Sequence, residues 1–310
     1  MALQYRKRAV LAAIETSYGA VTTPTGAANA VLLRGDPKVK PLAMETANRE
    51  LVRPWFGNSP DVVTAVWSEV EFDVEIAGSG TAGTAPAWGV LLRGCAFAEV
   101  ITAGSKVEYS PVSDGLESLC IHFHMDGVRH VLKGARGTVK FAFTSGQFPV
   151  MSFRFVGLYA PATDQALPAS VFTAWQDPLA VMTGNTTASL YGLTDLGIES
   201  ISLDLAGDVS HRNLVNREDV IFADRKPSGE AVFEMTSVAD RDWFGLVRNA
   251  TTGAITVTQG TAAGNKVTVS VPHASLNQPD YQQSKGIVML KTSFSANAPA
   301  GNDELLITAE

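Results

Sequence analysis

The sequence predicts a mainly β protein made of two tandem copies of one β-sandwich or barrel-like domain, each with one flanking α-helix. The first observation behind this fold class is an internal repeat that covers most of the 310-residue chain. The second is the alternation of apolar and polar residues that dominates the segments within each copy. With 45% apolar and 18% charged residues, the chain has enough apolar side chains for two ordinary hydrophobic cores.

Four short segments of the first half match segments of the second half in the same order. Residues 48–53 match 211–216, 88–93 match 243–248, 104–110 match 264–270, and 115–119 match 286–290. The offset drifts slightly because loops accept insertions more readily than strands do. We therefore predict an N-terminal arm (1–30), a first domain (31–160), a linker (161–190) and a second domain (191–310). Residues 133–157 have no recognisable counterpart, so the repeat is expected to be incomplete.

Strands are predicted wherever apolar and polar side chains alternate. In 67–76, Val70, Phe72, Val74 and Ile76 occupy one parity, and Glu69, Glu71, Asp73 and Glu75 occupy the other. This segment therefore has one apolar face and one acidic face, as in an antiparallel strand with one face in water. Similar alternation predicts strands at 119–125, 138–143, 201–205, 231–235 and 266–271.

Turns, helices and a linker complete the predicted elements. Asp126-Gly127 and Ser145-Gly146 are typical of hairpin turns. One helix is predicted in each copy, at 86–98 and 240–249, and Pro86 suits the first turn of the former. The Ala-, Pro- and Thr-rich segment 161–185 predicts an extended linker that docks on a surface.

Composition argues against several functional classes. The formal net charge is −7 and Lys and Arg are scattered, which disfavours ordinary nucleic-acid binding. Cys95 and Cys120 are too few for a disulfide framework. The basic residues 6–8 precede a short apolar run that ends at Glu15, which predicts a surface-packed arm rather than a signal peptide. No apolar segment has the length of a membrane span, so no membrane insertion is predicted.

Two motifs have a possible cofactor or metal interpretation, and the repeat weighs against both. The glycine-rich segment 78–83 follows a strand and precedes a helix, as in a dinucleotide-binding turn, but the corresponding segment 237–241 has no glycine. Cys120, His122, His124 and Asp126 share one strand face, and a His-x-His pair on a strand can bind zinc. Their matched positions are Lys291, Ser293, Ser295 and Asn297, which favours a polar face in solvent or at an interface. We therefore predict no cofactor and no metal.

The acidic ladder is the strongest candidate for catalysis. Same-face neighbours on a strand lie about 7 Å apart, near the separation used in glycoside hydrolysis. The second copy keeps Glu230 and Glu234 but has Val232 between them, and no partner acid or nucleophile motif is evident. We predict that the protein is not an enzyme.

Several turn motifs resemble those of the tail tube (major tail) proteins of long-tailed bacteriophages. In the second half these are His211-Arg212-Asn213-Leu214-Val215 and Asp224-Arg225-Lys226-Pro227-Ser228-Gly229. In the first half they are Glu15 with Tyr18-Gly19, and Asp126-Gly127 with Gly134-Ala135-Arg136-Gly137-Thr138. The resemblance implies a β-sandwich with a flanking helix, a wall of stacked rings around a channel, and no enzymatic activity. It also implies a virion tail protein, assembled in the cytoplasm of the host bacterium, whose partners are further copies and the terminator, tape measure and distal tail proteins.

The leading hypothesis is therefore a tail tube subunit that conducts DNA, in transit and without specific binding, from capsid to host. The alternative from a binding class is a virion surface or adhesion module that binds carbohydrate through exposed loops. A hydrolase is the third possibility. A tube protein should form rings or polymers, an adhesin should bind glycans, and a hydrolase should turn over substrate.

The hypothesis assigns roles to two groups of residues. Rings are expected to contain three chains, because two copies per chain then give six quasi-equivalent domains. Stacking between rings is assigned to the connections 49–63 and 208–227, with Arg49, Leu51, Val52, Trp55, Phe56, Arg212, Leu214 and Val215 as contact residues. Lining of the lumen is assigned to Glu69, Glu71, Asp73, Glu75, Glu230 and Glu234. Like charges on one strand face require water, and a negative wall does not hold DNA.

Overall fold

The structure, a computed structural model, describes residues 3–20 and 22–310. It confirms a mainly β fold, with 54% of residues in strands and 5% in helices. In the first half the elements are β1 (Arg8–Ile14), α1 (Gly26–Asn29), β2 (Ala30–Val31), β3 (Arg34–Asn48), β4 (Asp61–Glu75), α2 (Gly89–Arg93), β5 (Phe97–Thr102), β6 (Lys106–Pro111), β7 (Leu119–Met125), β8 (Val128–Thr144) and β9 (Val150–Asp164). In the second half they are β10 (Thr186–Leu190), β11 (Ile198–Asp204), β12 (Gly207–Leu214), β13 (Arg217–Arg225), β14 (Ser228–Glu234), α3 (Trp243–Arg248), β15 (Thr252–Gln259), β16 (Val267–Ser284), β17 (Ile287–Ala296) and β18 (Leu306–Ala309).

The centre of the fold is a run of eight strands in the order β3-β4-β9-β8-β11-β14-β17-β16. Every neighbouring pair in this run is antiparallel. The two halves of the chain join where β8 pairs with β11, from Lys140 opposite Asp204 to Thr144 opposite Ser200. The eight strands therefore form one continuous surface to which both halves contribute four strands.

Strand pairing follows the same pattern in the two halves. In the first half the order is β1-β7-β8-β9-β4-β3, and in the second half it is β10-β15-β16-β17-β14-β11. The strands also follow each other along the chain in the same sequence, with α2 after β4 and α3 after β14. The extra elements are α1, β2, the β5–β6 hairpin, the β12–β13 hairpin, which forms a separate two-stranded sheet, and β18.

The pairing pattern differs from the sequence matches in its register. In this pattern β8 and β9 are the counterparts of β16 and β17, so residues 133–157 do have a structural counterpart, contrary to expectation. The sequence match of 115–119 with 286–290 instead makes the start of β7 correspond to the start of β17. This match is wrong because the β5–β6 hairpin, which lies between α2 and β7, has no counterpart between α3 and β15. The domain boundaries themselves remain a prediction.

The helices are shorter than predicted. Residue Ala96 has φ +63°, which ends the helical path, and Phe97 enters β5 opposite Pro111. Asp242 caps α3 by accepting a hydrogen bond from the Gly245 N–H at 2.8 Å. The helices therefore cover 5 of the 13 residues in the first predicted segment and 6 of the 10 in the second.

One buried cluster fills the space behind the eight-strand surface. Its largest side chains include Trp88 at the start of α2 and Trp243 at the start of α3, both almost fully buried. The Trp88 Nε1–H donates to the carbonyl oxygen of Ala77 at 2.8 Å, which fixes the helix against the end of β4. The ring of Trp243 lies 4.8 Å from that of Phe233 on β14. Each short helix is thus held mainly by one tryptophan anchor.

Candidate functional site: a charged open face and two apolar hairpin tips

One face of the eight-strand surface is turned away from the buried cluster, and we call it the open face. On β4 it carries the acidic ladder, because the alternate residues Val70, Phe72 and Val74 are buried. Directly opposed residues of antiparallel strands share a face, so the register extends the open face across the sheet. Its other charged members include Arg34, Lys38, Lys40, Lys140, Arg154, Asp204, Glu230, Glu234, Asp280 and Lys291. All six residues assigned to the lumen therefore lie on one continuous face.

The ladder is compensated by cations on neighbouring strands, which single-strand reasoning did not reveal. Arg154 on β9 lies between two rungs, 3.2 Å from Glu69 Oε2 and 3.8 Å from Glu71 Oε1. Five further pairs connect adjacent strands. They are Arg34–Glu75 (3.8 Å), Lys38–Glu71 (4.0 Å), Lys40–Glu69 (3.2 Å), Lys140–Asp204 (2.8 Å) and Lys291–Glu230 (2.8 Å).

Glu69 differs most from the expected solvated carboxylate, since its residue is only 8% exposed. Its carboxylate accepts hydrogen bonds from Trp67 Nε1 at 2.9 Å and Lys40 Nζ at 3.2 Å. Burial alone would raise the pKa of Glu69, but these hydrogen bonds and the charge of Arg154 outweigh it and the pKa is lowered. The rung at Glu69 is thus a buried, paired anion rather than a free charge in water.

The β3–β4 hairpin continues past the sheet as an arm, which we define as residues 41–64. Nearly every residue of the arm is exposed. The predicted stacking residues lie in its loop: Val52 and Phe56 are fully exposed, Trp55 is 66% exposed, and Arg49 and Leu51 are also exposed. Large apolar side chains at the tip of a hairpin are unusual in a free loop and are typical of an interface.

The β12–β13 hairpin carries the second predicted group at its tip. Val215 is 92% exposed and Leu214 is 52% exposed. Arg212 has another role: its guanidinium donates to both carboxylate oxygens of Asp219, at 2.9 and 2.8 Å, and Arg217 adds a bond of 2.7 Å. The hydrogen bond from Arg212 is the main reason why the pKa of Asp219 falls to about 2. Arg212 therefore braces the hairpin across its two strands.

The fold brings the second hairpin to the root of the arm. The ring of His211 stacks on Trp67 with 5.3 Å between centroids, and Asn213 Nδ2 donates to the Thr64 carbonyl oxygen at 3.2 Å. Leu214 and Val215 follow directly after Asn213. The two groups of predicted stacking residues, distant in sequence, thus belong to adjacent hairpins.

The first-half residues that carry the family resemblance also meet in space. The carboxylate of Glu15 accepts from the N–H groups of Gly134 at 2.7 Å and Gly19 at 2.8 Å. The guanidinium of Arg136 lies over the Tyr18 ring, 4.9 Å from its centroid. This cluster holds the N-terminal segment against β8, and its assembly could not be predicted from motif spacing because its members are far apart in the chain.

The Cys120, His122 and His124 face is buried, contrary to the expectation of a solvent-facing or interface face. The three residues are at most 3% exposed, between β1 and β8. Burial lowers the pKa of His122 to about 4, with the charge of Arg129 as a further cause. Within residues 3–20 and 22–310, no three His, Cys, Asp or Glu side chains are grouped to bind a metal ion.

The glycine-rich segment 78–83 has a packing role. Gly78 N–H donates to Asn265 Oδ1 at 3.1 Å, and Gly80 N–H donates to the Gly264 carbonyl oxygen at 2.8 Å. A Cβ at Gly78 would lie 2.1 Å from that same Gly264 oxygen. These glycines therefore allow a first-half loop to contact a second-half loop at backbone distance.

In the part of the chain that the structure covers, none of the helices has the length and apolar character needed to cross a membrane. Residues 6–306 match a protein-family model described as Phage tail tube protein. A search of curated proteins found no match.

Proposed function

The chain belongs to the phage tail tube protein family, and from this premise we propose that it assembles into stacked rings around a channel for DNA. Membership makes it a structural component of the phage tail. The observation that carries the finer proposal is the continuous eight-strand surface, which has one open polar face and two free edges.

Ring closure uses those two edges. Among the described residues, β3 pairs with β4 alone, and residues 276–284 of β16 pair with β17 alone. Because eight antiparallel strands alternate in direction, β16 of one chain and β3 of the next would also be antiparallel. By the repeated pairing pattern, β16 corresponds to β8 and β3 to β11. The proposed joint between chains is therefore the counterpart of the β8–β11 joint within the chain.

Both free edges carry features that restrict uncontrolled pairing. Pro37 and Pro41 lie on β3, and Pro279 lies on the free part of β16, at a break in register. Proline lacks an N–H and confines a ladder to short stretches. A joint that forms only with the matching edge of another copy fits a closed ring better than open aggregation. Three chains per ring supply six copies of the repeated sheet, and this is the stoichiometry we propose.

Stacking between rings uses the arm and the adjacent hairpin tip. Val52, Trp55, Phe56, Leu214 and Val215 offer exposed apolar surface that a neighbouring ring would bury. Arg212 contributes indirectly, by holding the second hairpin in shape. The arm is the part of the molecule best placed to contact another ring because it extends beyond the sheet.

The open face lines the channel in this proposal. The opposite face of the same strands packs on the buried cluster, so the open face is the side that a closed ring can present to its lumen. Among the charged residues named above, carboxylates on the open face outnumber cations, which suits a wall that must let DNA pass.

Electron microscopy and native mass spectrometry of the purified chain test the proposal. Rings or tubes built from multiples of three chains would support it. A closed monomer that binds a glycan array would favour the adhesion alternative, to which the exposed aromatic residues Trp55 and Phe56 are also suited.

A further inference from the structure

The Lys and Arg side chains named above on the open face are all engaged by a carboxylate. Six Lys and Arg side chains lie there, and each has an Asp or Glu oxygen within 4.0 Å. Arg154, whose guanidinium is a better phosphate ligand than the ammonium group of Lys, is paired with two carboxylates. By contrast Asp73, Glu234 and Asp280 have no Lys or Arg partner within that distance in the described chain. Among the charged residues named above on the open face, those without an ion-pair partner are therefore all negative.

The remaining positions on the central strands are occupied mainly by small side chains. Thr138 and Ala142 on β8, Ser152 on β9, and Ser200 and Ser202 on β11 share the face with the ion pairs. Ser228, Ser293 and Ser295 continue the pattern on β14 and β17. The long cationic side chains are thus the groups on this face with the reach and charge to hold a phosphate.

We propose that these cross-strand pairs mask the cations of the channel wall from the phosphates of passing DNA. This inference rests on the proposed function, and it assigns Asp204 and Glu230 a role beyond their own charge. A free Lys that contacts DNA displaces a condensed counterion, and such contacts dominate non-specific affinity. A Lys that is already neutralised by an adjacent carboxylate would have to give up that partner to contact a phosphate, so it adds little to the affinity for DNA.

Single surface pairs are weak, but the geometry is repeated in every chain. A DNA molecule inside a tube contacts many copies of each site at once, so small contributions add along its length. Masking therefore matters collectively, even though one pair on one chain contributes little.

The chain offers a matched comparison. The double variant Asp204→Asn/Glu230→Gln removes the carboxylates paired with Lys140 and Lys291, whereas Asp73→Asn/Glu234→Gln removes the same two charges and leaves the ion pairs of all six cations in place. Asn at 204 retains an oxygen to accept from the Ala206 N–H, a bond of 2.8 Å in the native chain. Glu230→Gln alone serves as a second variant if the double variant unfolds.

Affinity of the purified chains for a fluorescent 30-base-pair duplex, over a range of salt concentrations, tests the proposal. We expect the unmasking variant to bind at least roughly fivefold more tightly at low salt than the control, with a salt dependence steeper by about 2, near 0.9 per freed cation. Equal affinity of the two variants, including no measurable binding by either, would overturn masking and leave net charge as the only factor. Failure of the channel proposal is separately visible, as absence of rings or tubes of wild-type protein by electron microscopy.

Discussion

The hydroxyl of Tyr18 accepts a hydrogen bond of 2.5 Å from the backbone N–H of Val220, which lies 202 residues further along the chain. Arg136 completes the contact, because its Nη1 donates to the carbonyl oxygen of the same Val220 at 2.9 Å. The backbone N–H and carbonyl oxygen of Val220, a buried residue of β13, are thus both bound by side chains of the first half. The β12–β13 hairpin is held on the first half of the molecule through this contact.

Replacing Tyr18 with Phe should loosen this hairpin. The Val220 N–H would lose its partner in a buried site, at a cost of about 1–3 kcal/mol in the free energy of unfolding. Hydrogen exchange of amides 218–222 should accelerate in the variant, and chemical denaturation should show the loss. Tyr5→Phe, at a residue that is 61% exposed, is the control and should change neither. Unchanged protection at Val220 would show that Tyr18 does not hold the hairpin.

Replacing Trp55 with Ala should weaken polymerisation while the chain stays folded. Trp55 contacts solvent in the single chain, so its loss should leave the unfolding temperature nearly unchanged and remove an apolar anchor from the proposed interface. Sedimentation velocity separates polymers from single rings. Phe172→Ala, an exposed aromatic outside the arm, is the matched control. Tubes formed by the Trp55 variant at wild-type concentration would contradict the stacking assignment.

Acid should destabilise the protein through His122. Burial keeps this imidazole neutral and lowers its pKa to about 4, below the value of about 6.5 expected in the unfolded chain. A group whose folded pKa is depressed stabilises the fold fully above its unfolded pKa. Its contribution is lost as pH falls from about 6.5 toward 4. Denaturation of the wild type and of His122→Gln at pH 7 and pH 4.5 should give a smaller loss for the variant. Identical losses would remove His122 from the acid response.

Adding positive charge to the open face should slow DNA passage. Asp73 and Glu234 are exposed and outside the ion pairs, so Lys at both positions should leave folding intact and offer new phosphate contacts. Phage assembled with this variant should show normal tails and slower or incomplete ejection in vitro, most visibly at low salt. Lys285→Glu in the β16–β17 turn is a charge-changing control away from the face. Normal ejection by the double Lys variant would place the open face outside the channel.

Some of this architecture could be predicted from the sequence, and the reasons for success and failure are physical. Alternation at Val70, Phe72 and Val74 identified β4 and its buried face because a period of two follows directly from strand geometry. The same pattern could not show that Lys40 and Arg154 neutralise Glu69, since pairing partners come from other strands. The matches of 48–53 with 211–216 and of 88–93 with 243–248 agree with the strand order of the two halves, whereas those of 104–110 and 115–119 do not, because the β5–β6 hairpin has no counterpart in the second half. His122 and His124 were expected in solvent or at an interface because the matched positions in the second half are polar, and their burial could not be predicted from that match.

A reconstruction of the tube formed by the purified chain, by electron microscopy with helical averaging, tests the central claim most directly. We expect three chains per ring, with β16 of each chain beside β3 of the next and Asp73 and Glu234 facing the lumen. A ring of six chains, or a wall in which these carboxylates lie on the outer surface, would contradict it.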